Sequence, residues 1–375
     1  MRHYKPSRIL VEKEVLELGR TTRILEQFPD VPHEVVENYD SRTDSAIPQT
    51  GDYITKAKKT LYLKRFKGSP IKLCPGFSDQ LVCCNYHIMD FVENCPFECV
   101  YCILQAVLNR PVITLHVNTG EIIEKVTGVI KSRPEQNFRV GTGEFSDSFA
   151  LEHILGVNTD LVETFAELPN ALLELKTKSS NVDSLIGLNH QGRTVVSWSM
   201  STKYAGKHIE YMTAPPMERI AAAARLVKAG YYTAFHFDPL IVHDGWEEGY
   251  REIIGELFDQ VPVDKIGWIS MGSLRYMPKL KEIAESRFPN SDIFANEFVN
   301  CEDGKTRYFR PIRQDLHKVV YEIIREYNSD IPVYICMDNN QTWQKILKDT
   351  PRDNNAMESL IVKKFNIGKC GSIQA

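Results

Sequence analysis

The chain has 375 residues, 43% of them hydrophobic and 25% charged, which is the composition of an ordinary folded protein and excludes a disordered or fibrous one. A formal net charge of −4, with a pI near 6.2, excludes a molecule-wide electrostatic footprint for nucleic acid, so any such footprint must be local. No apolar run approaches the roughly 20 residues of a membrane span, and MRHYKPSRILVEKEV lacks an apolar signal core, so a cytoplasmic location with no membrane partner is expected.

Residues 1–72 read as a helical and irregular lead-in, with the turn-rich stretch NYDSRTDSAIPQTGDY at 38–53. Within the lead-in, KAKKTLYLKRFK (56–67) carries Lys56, Lys58, Lys59, Lys64, Arg65 and Lys67 with no acid among them. Such a run is either a solvated face or a phosphate-binding surface.

Residues 73–290 alternate short apolar runs with helical patterns. HVNTGEIIEKVTGVIKSR supplies a helix, FRVGTGEFSD (138–147) a strand and polar loop, and ALLELKTKS (171–179) and TVVSWSMS (194–201) further strands. In TAPPMERIAAAARLVKAGYYTAFHFDP (213–239), Thr213 is placed to cap a helix, Gly230 to stop it, and YYTAFHFD to form the next strand. VDKIGWISMGSL (263–274) adds one more. About six such β/α units give an α/β fold of partial (β/α) TIM type, with function at the carboxyl ends of the strands. Residues 291–375 form an extension: a hairpin in NEFVNCEDGKTRYFRP (296–311), a helix in QDLHKVVYEIIREY (314–327), a strand in IPVYICM (331–337) and a peripheral tail ending GKCGSIQA. The absence of an internal repeat excludes solenoids and coiled coils.

Nine cysteines without a signal peptide argue against structural disulfides. Six of them, Cys74, Cys83, Cys84, Cys95, Cys99 and Cys102, fall within 29 residues, and ENCPFECVYCILQ (93–105) spaces three as C-x3-C-x2-C. A structural zinc site needs four nitrogen or sulfur ligands, which Cys83, Cys84 or His87 could complete. An iron–sulfur cluster on three thiolates instead leaves one iron open to a small chelating ligand.

C-x3-C-x2-C with an aromatic before the last cysteine resembles the signature of the radical S-adenosylmethionine (SAM) superfamily. That resemblance implies a [4Fe–4S] cluster on Cys95, Cys99 and Cys102, with SAM on the open iron and Tyr101 beside the adenine as a catalytic candidate. GTGEFSD (141–147) resembles the superfamily's Gly-Gly-Glu motif, which assigns Gly143 and Glu144 to the SAM amino group.

A more particular resemblance runs from about residue 72 to 337. CPGFSDQLVCCNYHIMDFVENCPFECVYCILQ, LELKTKSSNVDSLIGLNHQGRTVVSWSMSTKY and RIAAAARLVKAGYYTAFHFDPLIVHDGWEEGY are similar to segments of the spore photoproduct lyase family. The resemblance implies a partial TIM barrel that repairs a methylene-bridged thymine dimer in ultraviolet-damaged DNA, fed by an electron donor such as flavodoxin or ferredoxin. By position it assigns Ser146, Asp147, Lys178 and Ser199 to SAM, and Lys305, Arg307, Tyr308 and Arg310 of the hairpin to DNA.

Two positions depart from the family pattern. Glu144 or a neighbour stands where those enzymes carry a hydrogen-donating cysteine, and Ile103 stands where they carry a tyrosine. Either another residue donates hydrogen, among Cys74, Cys83, Cys84 or a tyrosine, or the substrate is a different nucleotide, peptide or small molecule. A non-catalytic, metal-stabilised nucleic-acid-binding protein is the remaining alternative. HFDPLIVHDGW adds His236, Asp238, His243 and Asp244, types suited to substrate binding or proton transfer.

Overall fold

The interior of the protein is organised by runs of β-branched and aromatic residues too apolar to have a wet face. TVVSWS and IGWISMGS are buried along their whole length, as expected of parallel strands covered on both sides. The computed structural model describes residues 3–40, 44–45, 52–76, 81, 83–348, 350–365 and 367. Part of the turn-rich stretch at 38–53 and the GKCGSIQA ending lie outside them.

Seven parallel strands form the main sheet, in the order Val333–Ile335, Ile266–Ser273, Tyr232–Leu240, Thr194–Ser199, Ala171–Thr177, Phe138–Gly141 and His87–Ile88; Lys72–Leu73 closes one edge antiparallel. Helices such as Thr119–Lys131 and Pro216–Lys228 connect the strands, giving the curled partial barrel that the sequence pattern predicts. Because side chains alternate along a strand, residues two apart share a face. One face carries Leu173, Leu175, Val196, Trp198, Phe235 and Phe237 into the apolar core. The other carries Arg139, Glu174, Ser197 and His236, which bind one another. Glu174 accepts from Ser197 Oγ at 2.8 Å, contacts His236 Nε2 at 2.8 Å and lies 3.4 Å from Arg139.

The lead-in departs from a helical reading. Arg8–Glu12, His33–Val36 and Thr60–Lys64 are parallel strands of a second sheet, completed by Ile113–His116 and an antiparallel Val92–Glu93. RILVE and TLYLK are nearly continuous apolar runs buried on both faces, so they show no alternation for a sequence reading to detect. Much of the basic run at 56–67 is paired: Lys58 is buried against Glu98 at 3.2 Å, while Arg65 and Lys67 meet Glu14 and Arg65 also meets Glu121. Thr213 does not cap its helix, which starts at Pro216 with Pro215 as cap. The Thr213 hydroxyl instead donates to the Glu210 carbonyl and accepts from Arg219. Gly230 follows the helix at φ 96°, as a stop glycine should. No helix among the described residues is long and apolar enough to cross a membrane.

Candidate functional site

A cavity of about 500 Å³ opens at the carboxyl ends of the strands, and the three clustered cysteines line it. Cys95 and Cys99 are buried and Cys102 is partly exposed, packed with Phe97, Leu104 and Ala150. Their loop is clamped from several sides. Glu98–Cys99 pairs with Glu210–Tyr211, Lys58 Nζ donates to the Phe97 carbonyl at 2.7 Å, and Gln105 donates to the Cys99 and Val100 carbonyls. Arg287, nearly fully buried, binds Asp52, Thr55, Glu98 and Gln105 together.

Burial pushes the Cys95 thiol up to about 12 and raises Cys99 further. Thiols in such surroundings ionise only against a bound cation, which a metal cluster supplies, so the donor set fits that cofactor. Among the described residues no three His, Cys, Asp or Glu side chains close on a single-ion site.

Tyr101 projects beside this loop and its hydroxyl donates to the Glu210 carboxylate. Glu210 also accepts from Ser201 Oγ at 2.9 Å and from Arg219 Nη2 at 2.6 Å. Burial opposes ionisation of Glu210, but the Arg219 and Lys178 charges outweigh it and hold the carboxyl down at about 2. Burial first, and then the Glu210 charge, raise the Tyr101 phenol well above its ordinary value. The Lys178 ammonium lies 5.7 Å from the Tyr101 ring centre. Arg219 reaches the Ser199 carbonyl as well, at 2.8 Å, so one arginine ties the ends of two site segments together.

The loop after the Phe138–Gly141 strand brings Gly143, Glu144, Ser146 and Asp147 to the same cavity. A side chain at Gly143 would place its Cβ 2.8 Å from Lys176 Cβ, so only glycine permits the loop to lie on the neighbouring strand. Asp147 fixes that approach: it accepts from the backbone of Phe149, Ala150 and Lys178 and from Thr177 Oγ1. The Ser146 hydroxyl, on a residue only 7% exposed, has no protein partner although it lines the cavity.

Several cavity residues escaped the sequence reading. Lys176 stands two residues before Lys178 on the same face, a spacing that could have revealed it. Arg275 forms a two-point pair with Asp238 at 2.9 and 3.0 Å, and Cys336 comes from the last strand region. These reach the cavity that Glu144 also lines only through strand order. His236 and Asp238 do face the barrel interior, but His243 binds Thr202 and stacks on Tyr204, outside the cavity lining.

The 297–311 hairpin exists, with Phe298–Asn300 antiparallel to Thr306–Tyr308, but two of its four assigned DNA contacts are not at its surface. Tyr308 is fully buried, stacks on Phe298 at 4.5 Å and accepts from the Val242 amide. Arg307 is buried in a two-point pair with Asp303, both contacts at 2.7 Å. Pairing of Thr306 and Arg307 with Arg275–Tyr276 closes that side of the strand against the barrel. Lys305 reaches the cavity, 3.6 Å from Asp303, and Arg310 is exposed beside Gln341.

Comparison with known proteins agrees with this arrangement. The curated spore photoproduct lyase of Bacillus subtilis (strain 168) is 26% identical over 329 residues, covering 86% of this chain and 92% of that protein. That of Geobacillus sp. (strain Y412MC61) is 25% identical over 302 residues, covering 79% and 86%. A solved spore photoproduct lyase variant with bound AdoMet and dinucleoside spore photoproduct has the same fold, with a TM-score of 0.77 at 22% identity over 89% of this chain and 99% of that one. Spore photoproduct lyase complexed with the dinucleoside alone gives a TM-score of 0.76 at the same identity and coverage. The spore photoproduct lyase family model matches residues 4–330, through the lead-in sheet, the barrel and the hairpin, and the chain belongs to that family.

Proposed function

We propose that this chain is a radical SAM lyase that repairs the spore photoproduct, a methylene-bridged thymine dimer in ultraviolet-damaged DNA. The observation that carries this reading is the convergence, in a chain of this family, of three spaced cysteines with Ser146, Lys178 and Ser199 on one cavity. A [4Fe–4S] cluster on Cys95, Cys99 and Cys102, with SAM bound to it, would supply a 5′-deoxyadenosyl radical by reductive cleavage.

The remaining work falls to the protein. Gly143 leaves room for SAM against the backbone, Ser146 offers an unpaired hydroxyl, and Asp147 holds the loop in position. Lys178 and the Glu210-bound Tyr101 bracket the SAM side of the cavity. Apolar walls exclude water, which protects a carbon radical from side reactions. Glu144 acts as a charged wall residue beside the SAM site, since a carboxylate is no hydrogen-atom donor.

DNA approaches across the mouth of the cavity, with Lys305 and Arg310 on phosphates and the lesion turned inward. In this arrangement residues 73–290 form the catalytic body and the hairpin region after 290 the DNA-facing rim. The reaction belongs in the cytoplasm, with a flavodoxin- or ferredoxin-type protein as the electron source. Anaerobic reconstitution tests the reading. About four irons per chain and 5′-deoxyadenosine formation under reductant support it. Stoichiometric zinc without SAM turnover would sink it.

A further inference from the structure

We propose that Lys176 and Glu144 form the subsite that reads the imide edge of one pyrimidine of the lesion, the Lys176 ammonium donating to a ring carbonyl and the Glu144 carboxylate accepting from N3–H. The inference rests on the repair reading above. The imide edge is neutral and sets one donor between two acceptors. A methylene bridge joins the rings away from that edge, so both rings of the lesion keep it.

The assignment follows from what the other charges of the cavity already do. Among the described residues, the cations Lys176, Lys178, Arg275 and Lys305 line it, with the carboxylates Glu144, Asp147 and Asp238. Arg275 and Asp238 hold each other at two points, and the Asp238 carboxyl carbon lies where a Cβ at Gly272 would be only 2.7 Å away, so it is pinned against that glycine. Lys305 lies 3.6 Å from Asp303, Asp147 is filled by four protein donors, and Lys178 stands by the Tyr101 ring on the SAM side. Lys176 and Glu144 remain. Among the described residues neither side chain has a hydrogen-bond or ion-pair partner.

Local structure puts the two side by side. Lys176 ends the interior face of the Ala171–Thr177 strand, two residues beyond Glu174, and Gly143 lies directly on it. Glu144 is the next residue of that loop. Burial alone would lower Lys176, but the Glu144, Asp238 and Glu174 charges outweigh it and raise it above its ordinary value, so the ammonium persists. Charged groups left without partners in such a cavity are costly, and a ligand that supplies their hydrogen bonds removes the cost.

The pair is neutral as a unit, so a phosphate loses to Glu144 what it gains from Lys176. A neutral edge that offers an acceptor beside a donor satisfies both groups at once. Thymine offers this. Cytosine reverses the order at the same two positions, turning an amino donor to the ammonium and a bare nitrogen lone pair to the carboxylate. Because bases turned out of a duplex are read by hydrogen bonds at this edge, the pair restricts the cavity to lesions of thymine.

The test uses cluster-loaded protein with SAM and no reductant, so that binding is read without turnover. Calorimetry compares dinucleoside spore photoproduct with its analogue methylated at N3 of both rings. The unaltered chain should bind the parent compound about tenfold or more tightly than the analogue, a comparison that needs no variant. Lys176→Met and Glu144→Ala should each weaken the parent by about tenfold, and Lys176→Arg, which keeps a cationic donor, should recover binding to within about threefold of the unaltered chain. In Glu144→Ala the preference over the methylated analogue should shrink to about twofold or less, which a merely structural loss would not produce. Equal affinity of the unaltered chain for the two compounds, unchanged affinity in Lys176→Met, or a Glu144→Ala variant that loses SAM while holding the dinucleoside would overturn the proposal. An unaltered chain that binds neither compound and restores no thymine when reductant is added would overturn the repair reading itself, and the proposal with it.

Discussion

Single residues at the site act through one another more than alone. Asp147 is assigned to SAM by resemblance, yet its oxygens are occupied by four protein donors, so it positions the loop. Gly143 is needed for the close approach to Lys176, and Gly143→Ala should raise the KM for SAM by about tenfold with the fold retained. Isothermal titration of SAM against the reconstituted variant checks this, and unchanged affinity would refute the close-approach argument. The cysteines were legible in the sequence because their spacing is local. Glu210, Arg219 and Arg275 were not, because each meets its partners through strand register and chain crossing, which no short motif records. Tyr308 and Arg307 were misplaced for a related reason: a charged or aromatic residue in a three-residue strand looks exposed until the strand's second neighbour is known.

Among the elements, the cysteine loop has no extensive secondary structure of its own and depends on its clamps. Arg287, on the Pro278–Arg287 helix, bridges that loop to Asp52 and Thr55 of the lead-in. Arg287→Met leaves Glu98 with only Lys58 for a cation and leaves the other partners of Arg287 unsatisfied, and such a loss costs about 1–3 kcal/mol. Denaturant unfolding of the variant should show this, together with reduced iron uptake; a change below about 1 kcal/mol would show that the clamp is unimportant. On the hairpin, Lys305→Ala and Arg310→Ala should each weaken duplex binding and flatten its salt dependence by about one unit of slope, whereas charge loss at the buried Arg307 should act on hairpin stability. The barrel strands were legible as buried apolar runs, and the two principal connecting helices from their periodicity. The lead-in strands were not, since a short run buried on both faces carries no period.

At the scale of the whole molecule, the barrel interior is held by buried carboxylates. Burial alone would raise Glu174 and Asp238, but Arg139 and His236 on the one and Arg275 on the other hold each at about 2, as Arg219 does for Glu210. A value depressed on folding contributes stability that is complete above the unfolded value and lost as pH falls through the folded one. The shift from the ordinary range of about 4 corresponds to roughly 3 kcal/mol for each group. The contribution of these three carboxylates should therefore be complete above about pH 5, and thermal stability should fall steeply between about pH 4 and 2; a protein equally stable across that window would contradict these pairings. The central claim, that this barrel repairs the spore photoproduct by SAM-derived radical chemistry, is tested most directly by anaerobic incubation of the reconstituted protein with SAM, a one-electron reductant and dinucleoside spore photoproduct. Loss of the lesion with appearance of two thymines and substrate-dependent 5′-deoxyadenosine is the predicted result. Cluster-loaded protein that cleaves SAM at the same rate with and without the dinucleoside, and restores no thymine, would contradict it.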